Sequence, residues 1–129
     1  MLERDFKIMD IKTIISDNIQ IALINSEDQL ITDVQSALDL IMTVNYETGS
    51  NRIILNKATI TEDFFKLSTC LAGEILQKFI NYYVKVAIVG DFSIYTSKPL
   101  KDLMYESNHG KDVFFISTVD EAIERLASV

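Results

Sequence analysis

Asp91 follows a β-branched run (residues 84–89) and Gly90 directly, which is where open α/β sheets present ligand-holding or catalytic carboxylates. Asn56 and Lys57 follow the run 52–55, and Ser117 and Thr118 follow the run 113–116, so all of them would share one rim with Asp91. Ser93, Tyr95, Ser97 and Lys98 lie on the Asp91 loop. Their hydroxyls, with the free amides of a helix starting after Ser97, would point one way and grip an anion or small polar ligand. Each residue also has a structural role within reach. An aspartate in such a loop commonly bonds backbone amides nearby, a serine caps the next helix, and a lysine needs burial or a cationic neighbour before it can act as a base.

The other reactive side chains stand alone. His109, the only histidine, sits in Asn-His-Gly after a helical stretch, where the helix dipole favours it. Cys70 has no Cys or His nearby and falls at a helical apolar position, which suits a small core residue. Glu74 and Lys78 form an i,i+4 pair on a solvated face. Tyr82, Tyr83, Tyr95 and Tyr105 are of a type enriched at interface centres. Phe64 and Phe65, as neighbours on a helix, cannot both face one core, which leaves one for a partner. With no metal-ligand cluster, phosphate loop or nucleophile motif, no cofactor and no metal are expected, and binding is favoured over catalysis.

These groups must be positioned by one domain spanning residues 1–129, because 129 residues bury one conventional core and not two. Apolar residues make up 48% of the chain, which excludes compositional disorder. A net charge of −7 opposes nucleic acid and anionic membranes. No apolar run approaches the roughly 20 residues of a membrane span, and residues 1–7 alternate charge where a signal peptide would be apolar, so a cytoplasmic protein is the simplest reading.

Runs 12–15 and 19–24 flank the turn-forming Ser16-Asp17-Asn18 and predict an antiparallel hairpin. Thr32 or Asp33 caps a helix with Val34, Ala37, Leu38, Ile41 and Met42 on its apolar face, ended near Gly49. Between runs 52–55 and 84–89, Phe64, Leu67, Leu71, Ile75 and Phe79 recur at helical spacing, which predicts a long helix and a right-handed crossover with Leu71 and Ile75 buried. Ser97 and Pro99 open a short helix buried through Leu100, Leu103 and Met104. Residues 113–116 are a fifth strand, and Thr118 to Glu121 has capping-box spacing before Ala122, Ile123 and Leu126. The expected fold is α/β in the order ββαβαβαβα, a mixed five-stranded sheet with an N-terminal hairpin and about four helices.

That order, with RIILN, VKVAIVG and the closing FFISTVDEAIERL, resembles the STAS fold of sulfate-transporter and anti-sigma-factor-antagonist domains. The string from Ala72 to Gly110 resembles an uncharacterised bacterial family, domain of unknown function family 4180. The STAS resemblance implies regulation by partner binding around the helix after the third strand, in some members switched by serine phosphorylation at its start. The Asp-Ser-Ser-Gly motif is missing here. Lys66 and Leu67 occupy those positions, and Ser68, one residue on and one place along the helix, is the remaining phosphorylation candidate.

Two functions follow from these residues. One is a regulatory or protein-interaction module that binds a protein partner or a second copy of itself. The alternative is a small-molecule-binding protein or unannotated enzyme using the rim around Asp91. Asn56, Lys57, Phe64, Phe65, Asp91, Ser93, Tyr95, Ser97 and Lys98 are the candidate contact residues.

Overall fold

The computed structural model describes residues 10–129, so the charge alternation at residues 1–7 lies outside the described part. The chain runs β1 (Asp10–Ser16), β2 (Ile19–Asn25), α1 (Val34–Thr48), β3 (Arg52–Asn56), α2 (Leu71–Asn81), β4 (Lys85–Val89), α3 (Lys98–Asn108), β5 (Val113–Ile116) and α4 (Val119–Ala127). This is the mixed five-stranded α/β sheet with an N-terminal hairpin and four helices that the sequence predicts. The sheet order is β1-β2-β3-β4-β5. β1 pairs antiparallel with β2, and every later pairing is parallel.

The hairpin closes in two residues, Asp17 and Asn18, at φ 52° and 67°. Two consecutive positive φ values make a mirror-image turn whose twist matches the strands, and Asp and Asn tolerate it. Asp33 caps α1 by accepting from the Ser36 amide at 2.8 Å while the Ser36 hydroxyl accepts from the Asp33 amide at 3.0 Å, and Gly49 ends the helix at φ 74°. Arg52 fixes the far end of the chain: its Nε donates to the Leu126 carbonyl at 2.8 Å and its Nη2 to that of Val129.

Alternate strand residues feed two cores, one on each side of the sheet. Ile53, Leu55, Val86, Ile88, Val113 and Phe115 join residues of α1, α2 and α3 in the larger one. Ile21, Ile54, Ala87, Phe114 and Ile116 meet Ala122 and Leu126 of α4 in the smaller one.

Five expectations are corrected. The long helix starts at Leu71; residues 62–69 form two short 3₁₀ turns instead, Glu62–Phe65 and Leu67–Thr69. Cys70 is exposed at φ 63° and so is no core residue, because the chain bends there before α2 begins. Leu71 is consequently only half-buried, in the first turn, while Ile75 is buried as expected. On α1 the buried stripe is Ala37, Leu40, Ile41 and Val44, which leaves Met42 exposed. Glu74 and Lys78 form no ion pair among the described residues; on α2, Gln77 instead donates to Asn81 at 2.9 Å.

Candidate functional site

β3, β4 and β5 end side by side, with Asn56 opposite Val89 and Val89 opposite Ile116. Lys57, Gly90 and Ser117 therefore leave the sheet together, and the Gly90 amide donates to the Ile116 carbonyl at 3.0 Å. The strand-end rim forms as the sequence implies, and most of its side chains are bonded to neighbouring segments. The Asn56 amide donates to the Ser26 carbonyl at 2.9 Å and accepts from the Ser26 amide at 3.3 Å, tying the loop after β2 to the end of β3.

Gly90 has a steric reason to be glycine. A Cβ there would lie 2.6 Å from Lys57 Cβ, so only the bare backbone lets the lysine stem pass. Lys57 Nζ then sits 3.7 Å from Glu62 Oε1, 5.4 Å from the centre of the Phe65 ring and 5.0 Å from that of Tyr95. Tyr95 donates its hydroxyl to Glu62 Oε2 at 2.6 Å, and its ring stacks on Phe65 with centroids 4.9 Å apart. A cation, a carboxylate and a phenol thus satisfy one another over an aromatic base. Glu62 is the member that sequence reasoning missed; the signal lay in Thr61, whose hydroxyl accepts from the Asp63 amide and starts a turn.

Burial, and then the hydrogen bond to Glu62 and its negative charge, push the Tyr95 phenol well above its ordinary value. Its folded value is raised, so this contribution to stability is present in full below the ordinary phenol pKa of about 10 and is lost as pH rises through the raised value. Glu62→Gln is expected to bring the phenol back towards that ordinary value, read from the Tyr95 ring-carbon chemical shift during an alkaline titration. An unchanged titration would mean that Glu62 contributes nothing to holding the proton.

Asp91 makes a local turn. Its Oδ1 accepts from the Ser93 hydroxyl at 2.6 Å and the Ser93 amide at 2.9 Å, and these two bonds hold the exposed carboxyl below the usual range, with the nearby Lys57 charge adding to the effect. Ser97 caps α3 by accepting from the Leu100 amide, and Lys98 pairs with Asp102 at 2.8 Å, which raises the lysine's pKa. Both residues serve α3, and the structure does not join them to Lys57 or Asp91 through a bond. Phe64 and Phe65 are both buried, correcting the expectation that one faces solvent: a 3₁₀ turn directs them into the cluster that continues through Phe92 and Phe115. Ser68 is exposed in the turn before α2, outside the helix proper, while neighbouring Thr69 donates to the Asp63 and Lys66 carbonyls.

Beside Asp91 lies a shallow, open depression of about 480 Å³ lined by Gly90, Asp91, Phe92, Phe115 and Ser117. His109 holds to its own helix, with Nδ1 2.8 Å from the Tyr105 carbonyl and its ring tilted on the Tyr105 ring. No group of three or more His, Cys, Asp or Glu among the described residues is arranged to hold a metal, and no described helix is long and apolar enough to cross a membrane.

A family described as "Domain of unknown function (DUF4180)" has a model that matches residues 16–126. The chain belongs to that family. No curated protein matches this DUF4180 chain. Among solved structures, a Thermotoga maritima protein with the provisional description of an anti-sigma factor antagonist aligns over 91% of this chain and 92% of its own, at 17% identity and a TM-score of 0.46.

Proposed function

We propose that this DUF4180 protein is a regulatory interaction module that binds another protein rather than turning over a substrate, and that it presents the loop of residues 91–97 to that partner. One observation carries the reading. Ile94 is 63% exposed, while the residues around it are anchored: Phe92 packs edge-on against Phe115 and near Phe65, and Tyr95 is stacked on Phe65 and bonded to Glu62. A β-branched side chain held outward on a loop whose base is already ordered costs little further entropy on binding, which suits an interface anchor. Lys57 is paired with Glu62 and Asp91 is bonded to Ser93, so neither is set against a nucleophile, which supports binding over catalysis.

A photo-crosslinking residue at position 94, carried by the protein in its native cytoplasm, is expected to give one discrete adduct. The same residue at Glu47, on the exposed side of α1, serves as the background control. Matching adduct patterns from the two positions would remove the loop from consideration. The depression beside Asp91 favours a second reading, a small polar ligand. A metabolite that co-purifies with the parent and is lost from Ser117→Trp, with no adduct from position 94, would establish that reading instead.

A further inference from the structure

The two edges of the sheet are treated differently. At β5 the Asn108 side chain donates to the Phe115 carbonyl at 3.1 Å and accepts from the Phe115 amide at 2.7 Å, so that edge is closed by the end of α3. At β1 no such bond to the outer backbone is formed among the described residues, and Ile15 stands 71% exposed. β1 is seven residues long and contains no proline and no bulge, and its charged side chains, Asp10 and Lys12, lie on the face opposite Ile11 and Ile15.

Which backbone groups are free follows from the turn. A two-residue connection makes Ser16 and Ile19 a hydrogen-bonded pair, so Ser16, Ile14, Lys12 and Asp10 direct their amides and carbonyls to β2. Ile11, Thr13 and Ile15 direct theirs outward. We propose that β1 pairs antiparallel with β1 of a second copy of this chain about a two-fold axis through Thr13, joining two five-stranded sheets into one of ten strands.

The register is chosen by the residues. With the axis at Thr13, Thr13 faces its own copy and each Ile11 faces the partner copy's Ile15, so all outward amides and carbonyls of the strand are satisfied. On the larger-core face, exposed Ile15 is then covered by Ile11, which already packs against that core. Moving the axis to Lys12 would set two like charges directly opposite. Moving it to Ile14 would set Ile11 against Asp17, which has left the strand at φ 52°. Charge permits the approach: Asp10 and Lys12 cancel within β1, on a chain of net charge −7.

The test is the mass of the full chain by sedimentation over a concentration series, with hydrogen exchange read at the Ile11, Thr13 and Ile15 amides. The expected result is a dimer in which these three amides are protected and lose protection on dilution. Thr13→Pro removes the outward amide at the axis while leaving the bonds to β2, since that amide is not used in the hairpin. Both axial hydrogen bonds are lost, and the dissociation constant is expected to rise by about thirtyfold or more, with the circular dichroism of the fold retained. Ile15→Lys, on an exposed side chain, provides a second variant expected to separate the copies without touching the backbone. A monomer with freely exchanging amides overturns the proposal. So does a monomer with the three amides protected, which would show that residues 1–9 cover the edge, and so does a dimer that survives both substitutions.

Discussion

Phe64→Ala is expected to lower stability by about 3–5 kcal/mol, measured as a fall in the urea midpoint at unchanged slope. Phe64 is fully buried, meets Phe65 edge-on with centroids 4.9 Å apart, and lies 6.5 Å from Phe115. The backbone from residue 62 to 66 is held by short-range bonds, from the Phe64 amide to the Thr61 carbonyl, from the Lys66 amide to the Asp63 carbonyl and from the Thr69 hydroxyl to the Asp63 carbonyl, and a long-range bond ties it only at its start, from the Thr61 amide to the Ile31 carbonyl. The segment therefore depends on the ring more than a helix would. The same substitution should loosen Phe65 beneath Tyr95 and Lys57. A variant with the parent's midpoint would show that the turns between β3 and α2 are held by something other than this ring.

Asn108→Leu is expected to cost about 2–5 kcal/mol, because it leaves both the amide and the carbonyl of buried Phe115 without the partner that the asparagine supplies. Leucine keeps the branched outline and heavy-atom count of asparagine without its donor and acceptor, so the loss reports mainly hydrogen bonding. Asn108→Asp separates the two bonds: it retains an acceptor for the Phe115 amide and removes the donor for the carbonyl. Hydrogen exchange at the Phe115 amide gives the local reading, fast in Asn108→Leu and slower in Asn108→Asp. Equal protection in the parent and Asn108→Leu would mean that the edge of β5 is shielded without the side chain.

The elements that were legible in the sequence are those whose local signals agree. The hairpin has β-branched runs on both sides of Asp17-Asn18, α3 has Ser97 and Pro99 at its start, and α4 has Thr118 with Glu121, whose amide donates to the Thr118 hydroxyl at 3.2 Å. Residues 62–70 carry a misleading signal because Phe64, Leu67 and Leu71 continue the spacing of Ile75 and Phe79. An interval of three residues between Phe64 and Leu67 fits a 3₁₀ turn as well as an α-helix, so periodicity could not separate them. Asp91 was legible as a turn-former, since its partner Ser93 is two residues away. The contact of Lys57 with Glu62 and Tyr95 was not, because Tyr95 and Glu62 are 33 residues apart and meet only when the strand ends align.

Sheet order that follows chain order has a consequence for synthesis. Each strand from β2 to β5 finds its neighbour already delivered by the ribosome, so no pairing waits for a later strand, and assembly can advance from one end. The covering of the second face cannot advance in that way. Ile54, Ala87 and Phe114 have their cover in α4, which follows all five strands and is held by Arg52 through the carbonyls of Leu126 and Val129. Until that helix docks, the nascent sheet shows a bare apolar face to its surroundings. The interval before docking is the one in which chaperone capture or aggregation competes with completion, and it is closed by Ala122 and Leu126 in the core, by Arg125 over the Phe114 ring and by the grip of Arg52 on the end of α4.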